Sequence, residues 1–178
     1  LAALSASLAW PNLTFRGELD VDLGGRTVHL FATPGHSRDG VSAYLPAERV
    51  LFAADTVVTG IVPAIGDGDS RQLESSLLRI RALPIDLLVA GHGPPLVGQS
   101  QVTAWLEWIT RYLRDVRTGV RRSLKRGLTP AEIPESLAFE RFVGSRLSPD
   151  RHGMVRRHRD TVAKIVREFT ERGAMDYT

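Results

Sequence analysis

Two histidines and one aspartate stand out by type and setting. His36 lies in Thr33-Pro34-Gly35-His36-Ser37, and His92 lies in Gly91-His92-Gly93-Pro94-Pro95, each directly after an apolar run. Between them the run Val50-Leu51-Phe52-Ala53-Ala54 terminates in Asp55. Glycine beside an imidazole removes side-chain bulk and lets the ring sit in a tight turn. All three groups fall at the carboxyl ends of expected strands, where sheet proteins place their sites. Imidazole and carboxylate suit zinc and similar divalent ions. Cysteine is absent, so any transition-metal site must be built from these two ligand types. The long gaps between the three residues match no local metal motif, so only the fold can bring them together. From the residues alone two readings stand: a His/Asp metal centre, or two loop histidines and an aspartate capping a turn.

The remaining candidates read more simply. His29 alternates with Val28 and Leu30 and is expected as a strand histidine, packed under a helix or solvated. His152 and His158 do not share a helix face and are expected at the surface or an interface, or lining a pocket. Trp105 belongs to a helical stripe and should pack in the core. Asp67 and Asp69 suit a turn and a helix cap.

These residues need elements to position them. Alternation over 18–23, the pair Gly24-Gly25 and the run 27–33 predict a hairpin. Further strands are expected over 41–45 and 49–54, and 60–68 should be a loop. Asp69 and Gln72 have the spacing of a capping box, so a helix should follow with Leu73, Leu77, Ile80 and Leu83 buried, ended by Pro84. An interior strand is expected over 85–90. From Gly98 onward the pattern is helical, with a long helix over 100–126, a short one after Thr129-Pro130-Ala131-Glu132 and a last one over 148–172. Strands and helices in this order predict an α/β or α+β fold. Its units are expected at 1–97 and, as a helical appendage, 98–178.

Composition bounds the class. The 178 residues carry 23 Lys plus Arg against 20 Asp plus Glu, and 43% are hydrophobic, as in a globular protein able to bury a core. No apolar run is long enough to span a membrane. The high pI comes with a net charge of only +3, so local clustering matters more than the total. Basic residues concentrate at Arg121, Arg122, Lys125 and Arg126, and again at Arg151, Arg156, Arg157 and Arg159; a solvated helix face is the expected reading. The chain begins at Leu1, with no basic flank or cleavage site of a signal peptide.

Taken in order, TPGHS, LFAAD, a helix and DLLVAGHGPP resemble the carboxyl-terminal half of metallo-β-lactamase-fold metallohydrolases, over about residues 14–95. The resemblance implies an αβ/βα sandwich and a zinc-dependent hydrolase acting on an ester, thioester, lactone, amide or phosphoester. It implies that His36 ligates a first zinc, that Asp55 bridges both metals as the catalytic centre, and that His92 ligates the second. Ser37 is then a candidate to orient the His36 loop through its hydroxyl, or else an ordinary turn serine. The family also has an upstream His-x-His-x-Asp-His motif that supplies four more ligands, and nothing here matches it. The chain therefore reads as the second half of a longer protein. Ala54 stands where the family usually has glycine. The expected partners are a small-molecule substrate and the amino-terminal half or a complementing chain, with self-association left open; neither nucleic acid nor membrane is expected, and the location is cytoplasmic. Two other readings compete: a nucleic-acid enzyme or binder using the Arg-rich helices, and a non-catalytic half-domain that dimerises or complements another chain.

Overall fold

The computed structural model describes residues 12–144, 146–147 and 153–175, with backbone only for 172–175. Strands β1 (Glu18–Asp22) and β2 (Thr27–Ala32) form the expected hairpin, closed by the Gly24 N–H donating to Asp22 Oδ1 at 2.8 Å. They are followed by β3 (Val41–Leu45), β4 (Val50–Phe52), β5 (Leu87–Val89) and a two-residue β6 (Leu96–Val97) that the sequence does not announce. The six strands lie side by side in chain order, antiparallel throughout except for parallel β4 and β5. A parallel pair needs a crossover, and helix α1 (Ser70–Arg81) supplies it.

The strand expected over 49–54 stops at Phe52. Ala54 adopts φ +45°, and Ala54–Thr56 makes one 3₁₀ turn that lifts Asp55 off the sheet. Asp69 caps α1 by accepting from the Arg71 and Gln72 N–H groups. The capping box is only half formed, because the Asp69 N–H donates to the Gly35 carbonyl at 3.0 Å. Leu73, Leu77 and Ile80 are fully buried, as the stripe predicts, while Leu83 is partly buried.

Helix α2 (Gln99–Lys125) buries Val102, Leu106, Ile109, Leu113, Val116 and Val120. Short helices α3 (Ile133–Ser136) and α4 (Glu140–Val143) follow, and Thr129 donates its N–H and hydroxyl to Glu132 at 2.8 and 2.7 Å. Helix α5 runs Met154–Met175, straight through Gly173; the start expected at Ser148, with Arg151 and His152, lies outside the described residues. One continuous hydrophobic cluster crosses residue 97, from Phe31 and Leu51 to Val162 and Ile165. Among the described residues no helix is long and apolar enough to cross a membrane.

The two faces of the sheet differ. Phe31, Ser42, Tyr44, Leu51 and Leu88 are buried, with the apolar ones joining the core that α1 and α2 also enter. On the other face, register aligns Leu19, Leu30, Ala43, Phe52 and Val89 in one row, none of them buried. Phe52 is 47% and Val97 64% exposed. Both faces of this sheet are apolar, but among the described residues only one is covered.

Candidate metal centre

The fold brings His36, Asp55 and His92 together. His36 Nε2 stands 3.6 Å from Asp55 Oδ2, and His92 Nε2 stands 3.3 Å from Asp55 Oδ1. Each imidazole thus faces its own oxygen of one carboxylate. Two donors about 2.0–2.1 Å from one tetrahedral ion stand about 3.3–3.4 Å apart, so each His–Asp pair has nearly the separation of two ligands of one metal. The three do not close around a single point: among the described residues no group of three or more His, Asp or Glu could hold an ion. They form two His–Asp pairs that share the Asp55 carboxylate.

Local structure explains how each group is held. Thr56, one residue after Asp55, donates its hydroxyl to the Thr33 carbonyl at 3.0 Å, and Thr33 Oγ1 lies 2.9 Å from Ser42 Oγ. These three hydroxyl residues are buried and satisfied, so they tie the end of β4 to the turn that carries His36. In that turn a Cβ on Gly35 would lie 2.2 Å from the Leu73 backbone, so only glycine lets the turn pack on α1. His36 Nδ1 lies 2.9 Å from the Ala64 carbonyl, which can only accept, so Nδ1 carries a proton and Nε2 is the ring nitrogen turned toward Asp55. Such a hydrogen bond on the second ring nitrogen is how ligating histidines are oriented.

Ser37 bonds within the turn that carries His36. Its carbonyl accepts the Gly35 N–H at 2.9 Å, closing the turn. Its hydroxyl bonds Asp39, in the same loop, and holds that carboxyl below its ordinary pKa. The orienting group is a backbone carbonyl in the unpatterned loop 60–68, for which no side-chain signal exists. That loop is pinned in turn, since the Gly66 N–H donates to the His36 carbonyl at 2.8 Å.

The His92 turn is fastened to residues 57–59. The Thr59 N–H donates to the His92 carbonyl at 2.8 Å, and the Thr59 hydroxyl donates to the Pro94 carbonyl at 2.6 Å. Gly91 passes directly under Asp55, and a Cβ there would lie 2.2 Å from Oδ1. Trp105 is partly buried as expected, and its Nε1–H also donates to the Val58 carbonyl at 2.8 Å, so α2 braces this side.

Beside His92 opens a cleft of about 330 Å³ lined by Thr59, Gly60, Ile61, His92, Gly93, Pro94 and Arg157. Arg157 is therefore not part of the solvated face expected of it: it is half-buried, with Nε donating to the Val62 carbonyl at 3.0 Å. Arg121, Arg122, Lys125 and Arg126 lie on the outer part of α2 and its end, and all four are exposed, as a solvated face requires. Two more contacts bind α5 to the site. Thr161 donates to the Pro63 carbonyl at 2.9 Å, and Glu168 accepts from the Ser70 N–H and hydroxyl at the start of α1.

The other histidines lie apart. His29 pairs across the hairpin with Asp20 at 2.6 Å and takes no part in the site. His158 is 1% exposed, not at the surface: Nε2 donates to the Leu137 carbonyl and Nδ1 accepts from Tyr112, both at 2.8 Å. The periodicity of α5 does not separate a surface histidine from one whose two ring nitrogens are both satisfied inside. Burial lowers its pKa from 6.5.

A mixed α/β layer with a His–Asp–His cluster at its strand ends is the class that sheet and site define. The sequence profile of the metallo-beta-lactamase superfamily matches residues 10–92. A linear primary-alkylsulfatase from Pseudomonas sp. (strain ATCC 19151) is 28% identical over 133 residues, 71% of this chain and 25% of that protein. A hydroxyacylglutathione hydrolase from Chromohalobacter salexigens is 41% identical over 70 residues, 38% of this chain and 28% of that protein. A metallo-beta-lactamase family protein from Thermus thermophilus superposes with a TM-score of 0.66 at 20% identity, covering 93% of this chain and 51% of that one. The match in fold therefore continues through the helices. The chain spans only about a quarter of the length of the two curated relatives.

Proposed function

We propose that the intact protein is a zinc-dependent hydrolase in which His36 and Asp55 hold one ion, His92 and Asp55 a second, with Asp55 as the bridge. The observation that supports this most is the pairing of each Asp55 oxygen with a different imidazole Nε2. The donor chemistry suits zinc: neutral imidazole with its second nitrogen occupied, a carboxylate, and no thiolate. Each position has two donors from this chain, so the remaining ligands come from the part that covers the open sheet face. When bound, a metal pair supplies an activated water nucleophile near neutral pH and Lewis acidity toward the scissile group.

The chain's own residues have distinct tasks. Asp55 sets the spacing of the two positions and offsets their charge. The Ala64 carbonyl keeps His36 in the Nδ1–H tautomer. Gly91 leaves the room in which the Asp55 carboxylate lies. The cleft beside His92 receives the substrate, and its Ile61 and Pro94 walls exclude water from one side of it. The named activities of the relatives, on a thioester of glutathione and on an alkyl sulfate, give the first bond types to try.

The test is metal content by elemental analysis together with turnover of a hydroxyacyl thioester and a primary alkyl sulfate by the intact protein. Asp55→Ala is expected to lower metal content and abolish hydrolysis. His36→Ala and His92→Ala should each deplete mainly one ion. An Asp55→Ala protein that keeps two metals and full turnover would contradict the assignment.

A further inference from the structure

A patch of unanswered positive charge lies away from the metal centre, in a cleft of about 320 Å³ between the second half of α2 and α4. Arg122 is 17 residues beyond Trp105 on α2, about 25 Å along the helix axis, so this cleft is remote from His92. Arg122 and Arg126 reach it from α2 and its end, and Arg141 from α4. Among the described residues no carboxylate pairs with any of these three, whereas in the adjoining groove Arg114 and Arg117 share Glu74. Cations at a helix C-terminus complement its dipole, which accounts for Arg122 and Arg126 but not for their convergence with Arg141 on one hollow. The floor is apolar: Leu137 is buried, and Phe142 is fixed against His158 with ring centroids 5.2 Å apart. Gly119 lines it with backbone alone. A Cβ there would press on Leu137 at 3.2 Å and come within 3.4 Å of Phe142, so glycine keeps the hollow open.

We propose that this cleft is a second ligand site, separate from the metal centre, for a small organic phosphate. Arg122, Arg126 and Arg141 hold its dianionic head, and its apolar body lies on Leu137 and Phe142. Guanidinium forks match phosphate oxygens in pairs, and a mostly apolar hollow with a few convergent charges is the usual form of a small-molecule site. Asp115 lines the far end, two helical turns and about 10 Å from Arg122. A carboxylate there repels a run of phosphates, so the site takes one charged head on a short body and not a polyanionic strand. Nothing in it depends on zinc or on the reaction proposed above.

The experiment is calorimetric titration of phenylphosphonate, a phosphate analogue with no ester bond to cut, into the intact protein with zinc and after chelation. One binding event should survive chelation unchanged, because a phosphonate held by metal is lost with the metal. At that event phenylphosphonate should bind about 10-fold tighter than methylphosphonate, which lacks the apolar body. Arg122→Gln and Arg141→Gln should each weaken phenylphosphonate about 10-fold or more. Arg121→Gln, on the same helix but lining the adjoining groove, should change it less than about 2-fold. Phenylphosphonate should also raise the melting temperature of the native protein and leave that of the Arg122→Gln/Arg141→Gln double variant unmoved. No binding after chelation, or equal affinity for the two phosphonates, would overturn the proposal. So would an equal loss in Arg121→Gln and Arg122→Gln, which would mark a diffuse basic face in place of a site.

Discussion

Asp55 is legible in the sequence as an acid ending an apolar run, but not what surrounds it. Ala54 has φ +45°, a left-handed backbone that costs a residue with a Cβ about 1 kcal/mol. Glycine at this place is thus a matter of backbone geometry, and Ala54→Gly should raise unfolding free energy by about 0.5–1 kcal/mol in denaturant titration, leaving activity intact. Gly91→Ala should do the opposite. Its Cβ would collide with Asp55 Oδ1 and with the Ala54 backbone, so metal content should fall with Asp55 displaced even though no ligand is removed. A Gly91→Ala protein with normal metal content and turnover would show that the carboxylate need not lie where it does. Ser37 is legible as a polar residue of the His36 loop, and its hydroxyl bonds Asp39 within that loop. The group that bonds the His36 ring, the Ala64 carbonyl, belongs to every residue type and leaves no mark in a sequence.

At the scale of elements, the hairpin, α1 and α2 follow from alternation, turn residues and helical spacing, because local pattern and tertiary burial agree there. The strand expected over 49–54 is too long because an apolar run does not show where the backbone turns left-handed. Helix α5 is legible as a helix but not as a support of the site, because its contacts are to partners nearly a hundred residues away. Glu168 caps the start of α1 with two bonds, so Glu168→Ala should cost about 1–3 kcal/mol by thermal or denaturant melting and loosen the Asp69 end of loop 60–68. His158 predicts a pH dependence. Burial lowers its pKa below the 6.5 of the unfolded chain, so the unfolded state binds more protons as pH falls. Its contribution is complete above about pH 6.5 and is lost as pH drops toward the folded value. Melting temperature should fall between about pH 7 and 5, and His158→Gln should flatten that slope while lowering stability at neutral pH by about 1–3 kcal/mol through the broken Tyr112 and Leu137 contacts.

For the molecule as a whole, the motif order points to half of a sandwich, and the sheet carries the physical sign of it: a second apolar face that nothing among the described residues covers. The 178-residue chain by itself should bind zinc weakly, having two donors per ion, and should bind a hydrophobic dye on the exposed face. Phe52→Glu should suppress that dye binding at little cost to the isolated chain, in which Phe52 is 47% exposed, yet destabilise the intact protein by about 3 kcal/mol or more under the proposal that a covering half encloses this face. Tight, stoichiometric zinc uptake by the verified 178-residue monomer would mean that this chain completes a site without outside ligands. The bridge at Asp55 is tested most directly by anomalous diffraction at the zinc edge from crystals of the intact, zinc-loaded protein. Two peaks are expected, one coordinated by His36 Nε2 and Asp55 Oδ2, the other by His92 Nε2 and Asp55 Oδ1. A single ion bound by both imidazoles, or no peak within coordinating reach of Asp55, would contradict it.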